Sequence, residues 1–320
     1  MVVVDPKPLF EISPYLYMQF MEPLGTTDGS VEAAWDYEAD DWREDLIDVV
    51  RDLGPGAIRF GGLFSRYYRW REGVGPVEKR PPMRNYVWGG VETNRVGTGE
   101  FVDFCRRVGA EPLCCVNFLS DGRRQYWKTP GGAVRTGDAA EAADWVSYCN
   151  DPDNRERRAI GETAPYNIKL WQLGNETFCG TRWTTNAVMI PVPRGRSYLM
   201  PVASVMRLFA QHNGRQGVAV SDCPSGLDIA ASRTGNRFFL HAVNLNYSQP
   251  VQAAFSIIGM PVTQGRVLEI APGNLREYVN QDRPDTFAPR EKPITASNLP
   301  WRFSGGSVSV VELESSQGIG

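Results

Sequence analysis

Histidine is scarce in this chain, with 2 copies among 320 residues. Histidine-based metal sites and the Ser-His-Asp triad both need imidazole groups, so the sequence supports neither kind of site well. No CxxC pair or histidine-rich run accompanies the cysteines, which stand at Cys105, Cys114, Cys115, Cys149, Cys179 and Cys223. We therefore predict buried free thiols in a reducing cytoplasm, and we expect neither a metal nor an organic cofactor.

The chain also lacks a surplus of positive charge and a long apolar run. Its net charge of −3 argues against a nucleic-acid partner, because binding to phosphates needs a basic surface. No apolar run approaches the roughly 18 residues of a membrane span, so we expect no membrane partner. Residues 1–10 have no basic region and an apolar start too short for a secretory signal peptide. These features predict a cytoplasmic protein.

Short apolar segments alternate with amphipathic ones over the first 180 residues or so. The spacing of apolar residues predicts helices over 40–53, 99–108 and 138–148, and strands over 15–20, 57–60, 112–117 and 168–173. Four strand–helix alternations favour a parallel sheet with crossover helices, either an α/β barrel or a doubly wound sheet.

The pattern changes after about residue 180. Residues 181–196 are typical of a connector, and 197–211 predict one more amphipathic helix with Pro201 in its first turns. From 217 to 314, short alternating segments separated by turn residues predict a compact antiparallel sandwich. The expected organisation is a (β/α) domain over 1–212 and an all-β domain over 213–320.

Polar side chains follow the predicted strands at the ends where reactive groups gather in parallel α/β folds. Glu22 follows the first strand, Asn117 ends the third, and Asn175 and Glu176 follow the fourth. Carboxylates and amides pair with hydroxyl groups, and Trp70 is one of several aromatic residues suited to stacking on a sugar. The structural alternatives stay open: Trp70 as a core residue, and Glu22 and Asn117 as structural polar groups.

Glu176 is the sharpest of these signals. A glutamate at the end of an apolar strand is costly to bury unless it is paired or functional. Partial burial would raise the pKa of its carboxyl group, and a glycosidic general acid needs a raised pKa.

Several motifs, taken together and in order, resemble glycoside hydrolase family 51, the α-L-arabinofuranosidases. The matching stretches include Gly61-Gly62, the run Gly97-Thr98-Gly99-Glu100-Phe101, and Trp171-Gln172-Leu173-Gly174-Asn175-Glu176, with others at 67–76, 109–117 and 140–150. The resemblance covers most of residues 9–180. It implies a retaining glycosidase on a (β/α)8 barrel with a β-sandwich, which hydrolyses terminal arabinofuranosyl groups of arabinose-containing oligosaccharides or polysaccharides. A relative that acts on β-glucan or xylan backbones stays open as an alternative.

The same resemblance implies roles for individual residues. Glu176 falls on the position of the family's general acid/base. Asn175 falls on the asparagine that hydrogen-bonds the sugar hydroxyl beside the reacting carbon. Glu22 matches a substrate-binding glutamate, and we place Asn117 and Trp70 with it as candidate substrate-binding residues.

One departure from the family pattern concerns the nucleophile, a glutamate at the end of the seventh barrel strand. About twenty residues separate Glu176 from the helix that resembles the last barrel helix, and one βαβ unit alone needs roughly 30. The expected fold is therefore α/β plus all-β: a barrel truncated to about four βα units, with a C-terminal β-sandwich. Three explanations remain open, namely an impaired short enzyme, a half barrel completed by a second copy, and a carbohydrate-binding protein without turnover. An open half barrel also predicts a homo-oligomer, because it exposes apolar edges.

Overall fold

The computed structural model describes residues 1–24, 30–85, 88–117, 137–175, 187–191, 195–274, 276–295 and 299–316. The helices in this part of the chain are α1 Val31–Ala34, α2 Glu44–Leu53, α3 Thr98–Val108, α4 Ala139–Asn150, α5 Arg155–Ala159 and α6 Pro201–Gln211. Short 3₁₀ turns cover Leu63–Arg66, Trp70–Gly73 and Val77–Lys79.

The strands up to α6 are β1 Val2–Glu11, β2 Gln19–Met21, β3 Trp35–Asp36, β4 Asp41–Trp42, β5 Ala57–Phe60, β6 Met83–Arg84, β7 Val91–Glu92, β8 Glu111–Val116, β9 Leu170–Leu173, β10 Val188–Met189 and β11 Tyr198–Leu199. After α6 come β12 Gln216–Ser221, β13 Leu227–Thr234, β14 Arg237–Asn244, β15 Val251–Ala253, β16 Phe255–Ile257, β17 Val262–Ile270, β18 Arg290–Ile294, β19 Trp301–Phe303 and β20 Val308–Ser315.

The chain divides into two compact units, one formed by residues 17–198 and the other by residues 1–16 together with 199–320. The sequence prediction placed the boundary between 212 and 213, whereas this division falls between 198 and 199. Residues 1–16 belong with the later unit because β1 pairs antiparallel with β12 and parallel with β16. Helix α6 belongs there too, because Leu208 packs with Phe239, Leu268 and Val310.

The unit of residues 17–198 contains a parallel sheet in the order β2-β5-β8-β9. The strands predicted over 57–60, 112–117 and 168–173 are therefore confirmed, with small changes in their ends. The strand predicted over 15–20 is shorter and later, since residues 14–17 form a turn before β2. One face of the sheet carries the apolar core, which includes Ile58 and Phe60 of β5.

Helices α2 and α3 cover that core face. In α2 the buried residues Leu46, Ile47, Val50 and Leu53 recur at helical spacing, which places one apolar stripe on the sheet. The helix ends at Gly54, whose φ of 67° is the left-handed conformation that glycine adopts readily. The prediction began this helix at residue 40, but residues 41–42 pair with 35–36 as β4 and β3 instead.

Helix α4 begins as the sequence predicted. The Asp138 carboxylate accepts a hydrogen bond of 2.8 Å from the backbone N–H of Glu141, which satisfies a donor of the first turn. On its core side Trp145, Tyr148 and Cys149 are buried. The Trp145 indole donates to the Thr98 hydroxyl at 3.1 Å, which joins α4 to the start of α3.

The second unit is built on an eight-stranded sheet in the order β16-β1-β12-β13-β14-β20-β17-β18, antiparallel except between β1 and β16. Its strands from β12 onward fall, to within one residue, in the region of alternating segments predicted from 217 to 314. Phe238, Leu240 and Val311 lie in a core with Trp301 and Phe303 of the separate β15–β19 pair. None of the helices in the described ranges combines the length and the apolar character of a membrane span.

Candidate active site

Four neighbouring strands end together at one edge of the parallel sheet. Because β2, β5, β8 and β9 run in the same direction, the residues that follow them lie side by side. These residues are Glu22, the pair Gly61 and Gly62, Asn117, and Asn175. The structure thus brings together three of the residues proposed from the sequence as substrate-binding groups.

Glu22 is buried, with 7% of its surface exposed. The backbone N–H of Phe64 donates to its Oε1 atom at 3.2 Å. The carboxyl group packs directly on Gly62, where a Cβ atom would overlap it, and the φ of Gly62 is 134°. The glycine after β5 is therefore required by the position of the Glu22 carboxylate.

Asn175 is held from two directions. Its Oδ1 atom accepts a hydrogen bond of 2.7 Å from Nη1 of Arg59, and its backbone oxygen accepts one of 3.4 Å from Nη2 of Arg66. Because Oδ1 faces a guanidinium, Nδ2 is the side-chain atom left to donate. Within the described residues no protein acceptor is recorded for Nδ2, so it can serve a hydroxyl group.

Arg59 is a site residue that the sequence reasoning missed. Its Nη1 atom also donates to Oε1 of Gln172 at 3.2 Å, and its guanidinium lies 5.1 Å from the ring centroid of Phe20. The signal was a charged residue inside the apolar strand Ala57–Phe60, which is costly unless it is paired or functional. Its hydrogen-bond partners Gln172 and Asn175 lie more than 100 residues away, so sequence spacing could not identify them.

Asn117 contributes to the packing of this edge. Its Nδ2 atom donates to the backbone oxygen of Arg66 at 2.9 Å, which ties the end of β8 to the 3₁₀ turn after β5. The cavity that Asn117 shares with Ser65 and Trp70 has a volume of about 10 Å³. That is room for about one water molecule, so this space does not accept a sugar ring as the described residues bound it.

The structure gives Trp70 a different setting from the one expected for a sugar-stacking residue. The side chain is 2% exposed and belongs to the aromatic core. Its ring is stacked with Trp145 at a centroid distance of 6.2 Å, and the guanidinium of Arg71 lies 4.4 Å from its centroid. Packing against α4 therefore occupies this indole.

Cys115 is a thiol in the same region. Burial raises the pKa of its thiol group, and this outweighs the hydrogen bond with Ser65 and the positive charge of Arg59, which lower it. The thiol is therefore protonated at neutral pH, and a protonated thiol is a poor nucleophile.

Glu176, the predicted general acid/base, lies outside the described residues, as does Cys179. Asn175, the residue just before Glu176, is held in place because Arg59 and Arg66 donate hydrogen bonds to its oxygen atoms. In the described ranges, no group of three or more His, Cys, Asp or Glu side chains is placed to hold a metal ion.

Comparison with known proteins bears on this site directly. Residues 49–189 match the family model described as the alpha-L-arabinofuranosidase 1 domain. The chain resembles the arabinofuranosidases. The probable alpha-L-arabinofuranosidase C of Aspergillus niger is 36% identical over 178 residues, which are 53% of this chain and 32% of that protein. The intracellular exo-alpha-(1->5)-L-arabinofuranosidase of Halalkalibacterium halodurans is 37% identical over 184 residues, 55% of this chain and 34% of that protein.

The arabinofuranosidase match has a clear extent. It includes β5, β8 and β9 and continues through Asn175 and Glu176, whereas Glu22 precedes it. This chain spans about a third of the length of the curated relatives it matches.

Solved structures agree with the arabinofuranosidase resemblance at the level of the fold. The thermostable GH51 alpha-L-arabinofuranosidase from Thermotoga petrophila RKU-1 has a TM-score of 0.80 at 19% identity, over 98% of this chain and 99% of that chain. The family 51 enzyme AbfB from Bifidobacterium longum has a TM-score of 0.79 at 15% identity. The mixed α/β fold predicted from the sequence is thus confirmed.

Proposed function

We propose that this chain is a glycoside hydrolase that removes terminal arabinofuranosyl groups from arabinose-containing oligosaccharides or polysaccharides. The observation that carries the proposal is the geometry of Asn175, whose amide is oriented by Arg59 at the end of β9. The next residue in the chain is Glu176, and the buried carboxylate of Glu22 lies at the same edge of the sheet.

Each of these groups has a distinct role in the proposal. The Nδ2 atom of Asn175 donates to a sugar hydroxyl, and the Glu22 carboxylate accepts from others. Glu176 donates a proton to the leaving-group oxygen and later takes one from water. A retaining reaction needs a second carboxylate about 5 Å away, whereas a wider spacing gives inversion.

The fold that goes with this proposal is a (β/α)8-type barrel shortened to about four βα units, followed by a β-sandwich. The order β2-β5-β8-β9 and the matched residues 49–189 support the first part. The eight-stranded sheet with the β15–β19 pair packed on its core supports the second.

A carbohydrate-binding protein without turnover is the second candidate, and the state of the later glutamates favours it. Each has a structural partner within its own unit: Glu269 accepts from Ser304, Glu277 pairs with Arg283, and Glu291, Glu312 and Glu314 pair with Arg266, His212 and Arg237. None of these five is therefore a good nucleophile for a sugar bound at the carboxyl ends of the parallel strands.

Homo-oligomerisation and a cytoplasmic location belong to the same proposal. Four strands make half of an eight-stranded ring, so a second copy is a natural complement. The free cysteines support a reducing compartment, since Cys105, Cys114, Cys115 and Cys149 are buried and unbridged. The bacterial relative with 37% identity is named intracellular.

Hydrolysis of 4-nitrophenyl α-L-arabinofuranoside tests the proposal. We expect slow turnover by the chain and a loss of at least about 100-fold in the Glu176→Gln variant, because the general acid is removed. Glu291→Gln is the matched control, since that side chain is 55% exposed in the other unit. Equal turnover in wild type and Glu176→Gln would disprove the assigned role, and sugar binding without turnover by either would establish the second candidate.

A further inference from the structure

A buried asparagine links the two chain segments that hold Glu22. Asn85 lies just after β6, in the connection to β7, and 2% of its surface is exposed. Its Nδ2 atom donates to the backbone oxygen of Pro23 at 3.0 Å, and its Oδ1 atom accepts from the Tyr67 hydroxyl at 2.9 Å. Pro23 follows Glu22 directly, and Tyr67 follows the 3₁₀ turn Leu63–Arg66 that comes after β5.

The orientation of the Asn85 amide follows from its backbone partners. The carbonyl oxygen of Pro23 can only accept a hydrogen bond, and the backbone N–H of Trp88, at 2.8 Å from Oδ1, can only donate one. Nδ2 also donates to Oε1 of Glu92 at 2.6 Å, and Glu92 is buried. Each polar atom of the amide therefore has two partners, and the β6–β7 hairpin holds the side chain in one orientation.

These contacts form a closed circuit around Glu22. The backbone N–H of Phe64 donates to Oε1 of Glu22 at 3.2 Å. Within the turn, the backbone N–H of Tyr67 donates to the backbone oxygen of Phe64 at 3.1 Å, and the two rings lie edge to face with centroids 6.0 Å apart. From Tyr67 the circuit passes through Asn85 to Pro23 and so returns to Glu22. A displacement of Asn85 therefore acts on the Glu22 backbone from one side and on its carboxylate from the other.

We propose that Asn85 is a positioning residue for Glu22 in the reaction proposed above. Its amide fixes the backbone at Pro23, so that the Glu22 carboxylate is in place before a sugar binds. A fully paired amide suits this task, because it adds no net charge close to a carboxylate that must accept hydrogen bonds. An acceptor fixed in advance loses little conformational entropy on binding, so the benefit falls on sugar affinity. The inference rests on the proposed function for the use of Glu22, whereas the circuit itself is measurable without a sugar.

Hydrogen exchange at the Phe64 amide, measured by nuclear magnetic resonance on the full chain, tests the circuit. Asn85→Ala removes both the donor to Pro23 and the acceptor for Tyr67, and exchange at Phe64 should accelerate about 10-fold. Tyr67→Phe keeps the ring against Phe64 but loses the hydroxyl, so an acceleration of about 3-fold is expected. This milder variant carries the test if Asn85→Ala does not fold.

Asn244 supplies the matched control in the other unit. It is also 2% exposed, and its Nδ2 atom donates to the backbone oxygens of Gln249 and Ser304 at 3.0 and 2.9 Å. Asn244→Ala should therefore lower the midpoint of urea unfolding about as much as Asn85→Ala. Exchange at Phe64 and kcat/KM should stay at their wild-type values in this control, because Asn244 has no contact with the Glu22 circuit.

Kinetics on 4-nitrophenyl α-L-arabinofuranoside test the use of the circuit. Asn85→Ala should lower kcat/KM about 10-fold, mainly through KM, because a displaced Glu22 binds the sugar less well in the ground state and the transition state alike. Unchanged exchange at Phe64 in the folded variants would refute the proposal, as would an acceleration that Asn244→Ala matches, or accelerated exchange with wild-type kcat/KM. A chain without turnover or sugar binding would refute the proposed function instead, and the exchange rates would still decide whether Asn85 holds Glu22.

Discussion

The two units of this chain treat buried polar groups in different ways. At the carboxyl edge of the parallel sheet, the Oδ1 atom of Asn175 accepts a hydrogen bond from Arg59, and among the described residues its Nδ2 atom has no protein acceptor. In the other unit the Glu312 carboxylate is fully occupied, by His212 at 2.6 Å and by Arg266 at 2.7 Å. Both groups are buried, so burial alone does not separate them, and the difference lies in how completely each one is paired.

The largest expected effect comes from disturbing the glycine beneath Glu22. Gly62→Ala should lower the free energy of unfolding by about 3 kcal/mol or more, because a Cβ atom would overlap the Glu22 carboxyl group at a positive φ. Chemical denaturation measures this. Gly54→Ala is the control, because no atom lies within 4 Å of its added Cβ, and about 1 kcal/mol is expected there. Equal losses in the two variants would mean that the close approach to Glu22 is unimportant.

A second test breaks the orientation of Asn175. Arg59→Met should reduce kcat/KM on the nitrophenyl substrate about 100-fold, because Oδ1 of Asn175 loses the donor that fixes the amide. Arg51→Met, an exposed arginine that pairs with Asp48, should leave kcat/KM unchanged. Wild-type kinetics for Arg59→Met would show that the amide needs no such support.

The third test concerns the fully paired carboxylate and its dependence on pH. Burial raises the pKa of Glu312, but hydrogen bonds from His212 and Arg266 outweigh it and lower the pKa to about 2. A lowered pKa gives stability that is present above pH 4.5 and is lost as pH falls toward 2. Glu312→Gln should therefore cost about 2 kcal/mol at pH 7 and much less near pH 2, as measured by urea unfolding. A difference that is independent of pH would contradict the ion pairing.

The smallest effect is expected for the core aromatic. Trp70→Phe should cost about 1 kcal/mol of stability, because the smaller ring loses contact with Trp145 and Tyr148. Sugar affinity, measured by calorimetry with arabinose, should not change. A clear loss of affinity in a fully folded Trp70→Phe variant would restore the stacking role first proposed for this residue.

Much of the parallel sheet was predictable because its signals are local. Apolar runs such as Ala57–Phe60 alternate with amphipathic helices, and parallel strands put Glu22, Asn117 and Asn175 at one edge. The place of β1 was not predictable in the same way. It carries two prolines and an exposed second half, and its partner β12 lies about 200 residues later.

The aromatic residues show another limit of sequence reasoning. Trp70 lies in the stretch 49–189 that matches the alpha-L-arabinofuranosidase 1 domain model, and nothing in its neighbours along the chain shows which way the ring points. The direction follows from contacts with Trp145 and Tyr148 on α4, more than 70 residues away. Residue type indicated a suitable chemistry here, but tertiary packing decided its use.

Arg59 on β5 reaches across β8 to Asn175 after β9. This limits the size of the side chain that β8 can carry beneath the guanidinium. The guanidinium extends from β5 to β9 past β8, where Cys115 lies beside Gln172 in the ladder. Gly61 presses on the same cysteine, since a Cβ atom at that glycine would overlap it. We therefore expect position 115 to accept small side chains such as alanine or serine, and we expect a leucine there to displace the Arg59 guanidinium from Asn175.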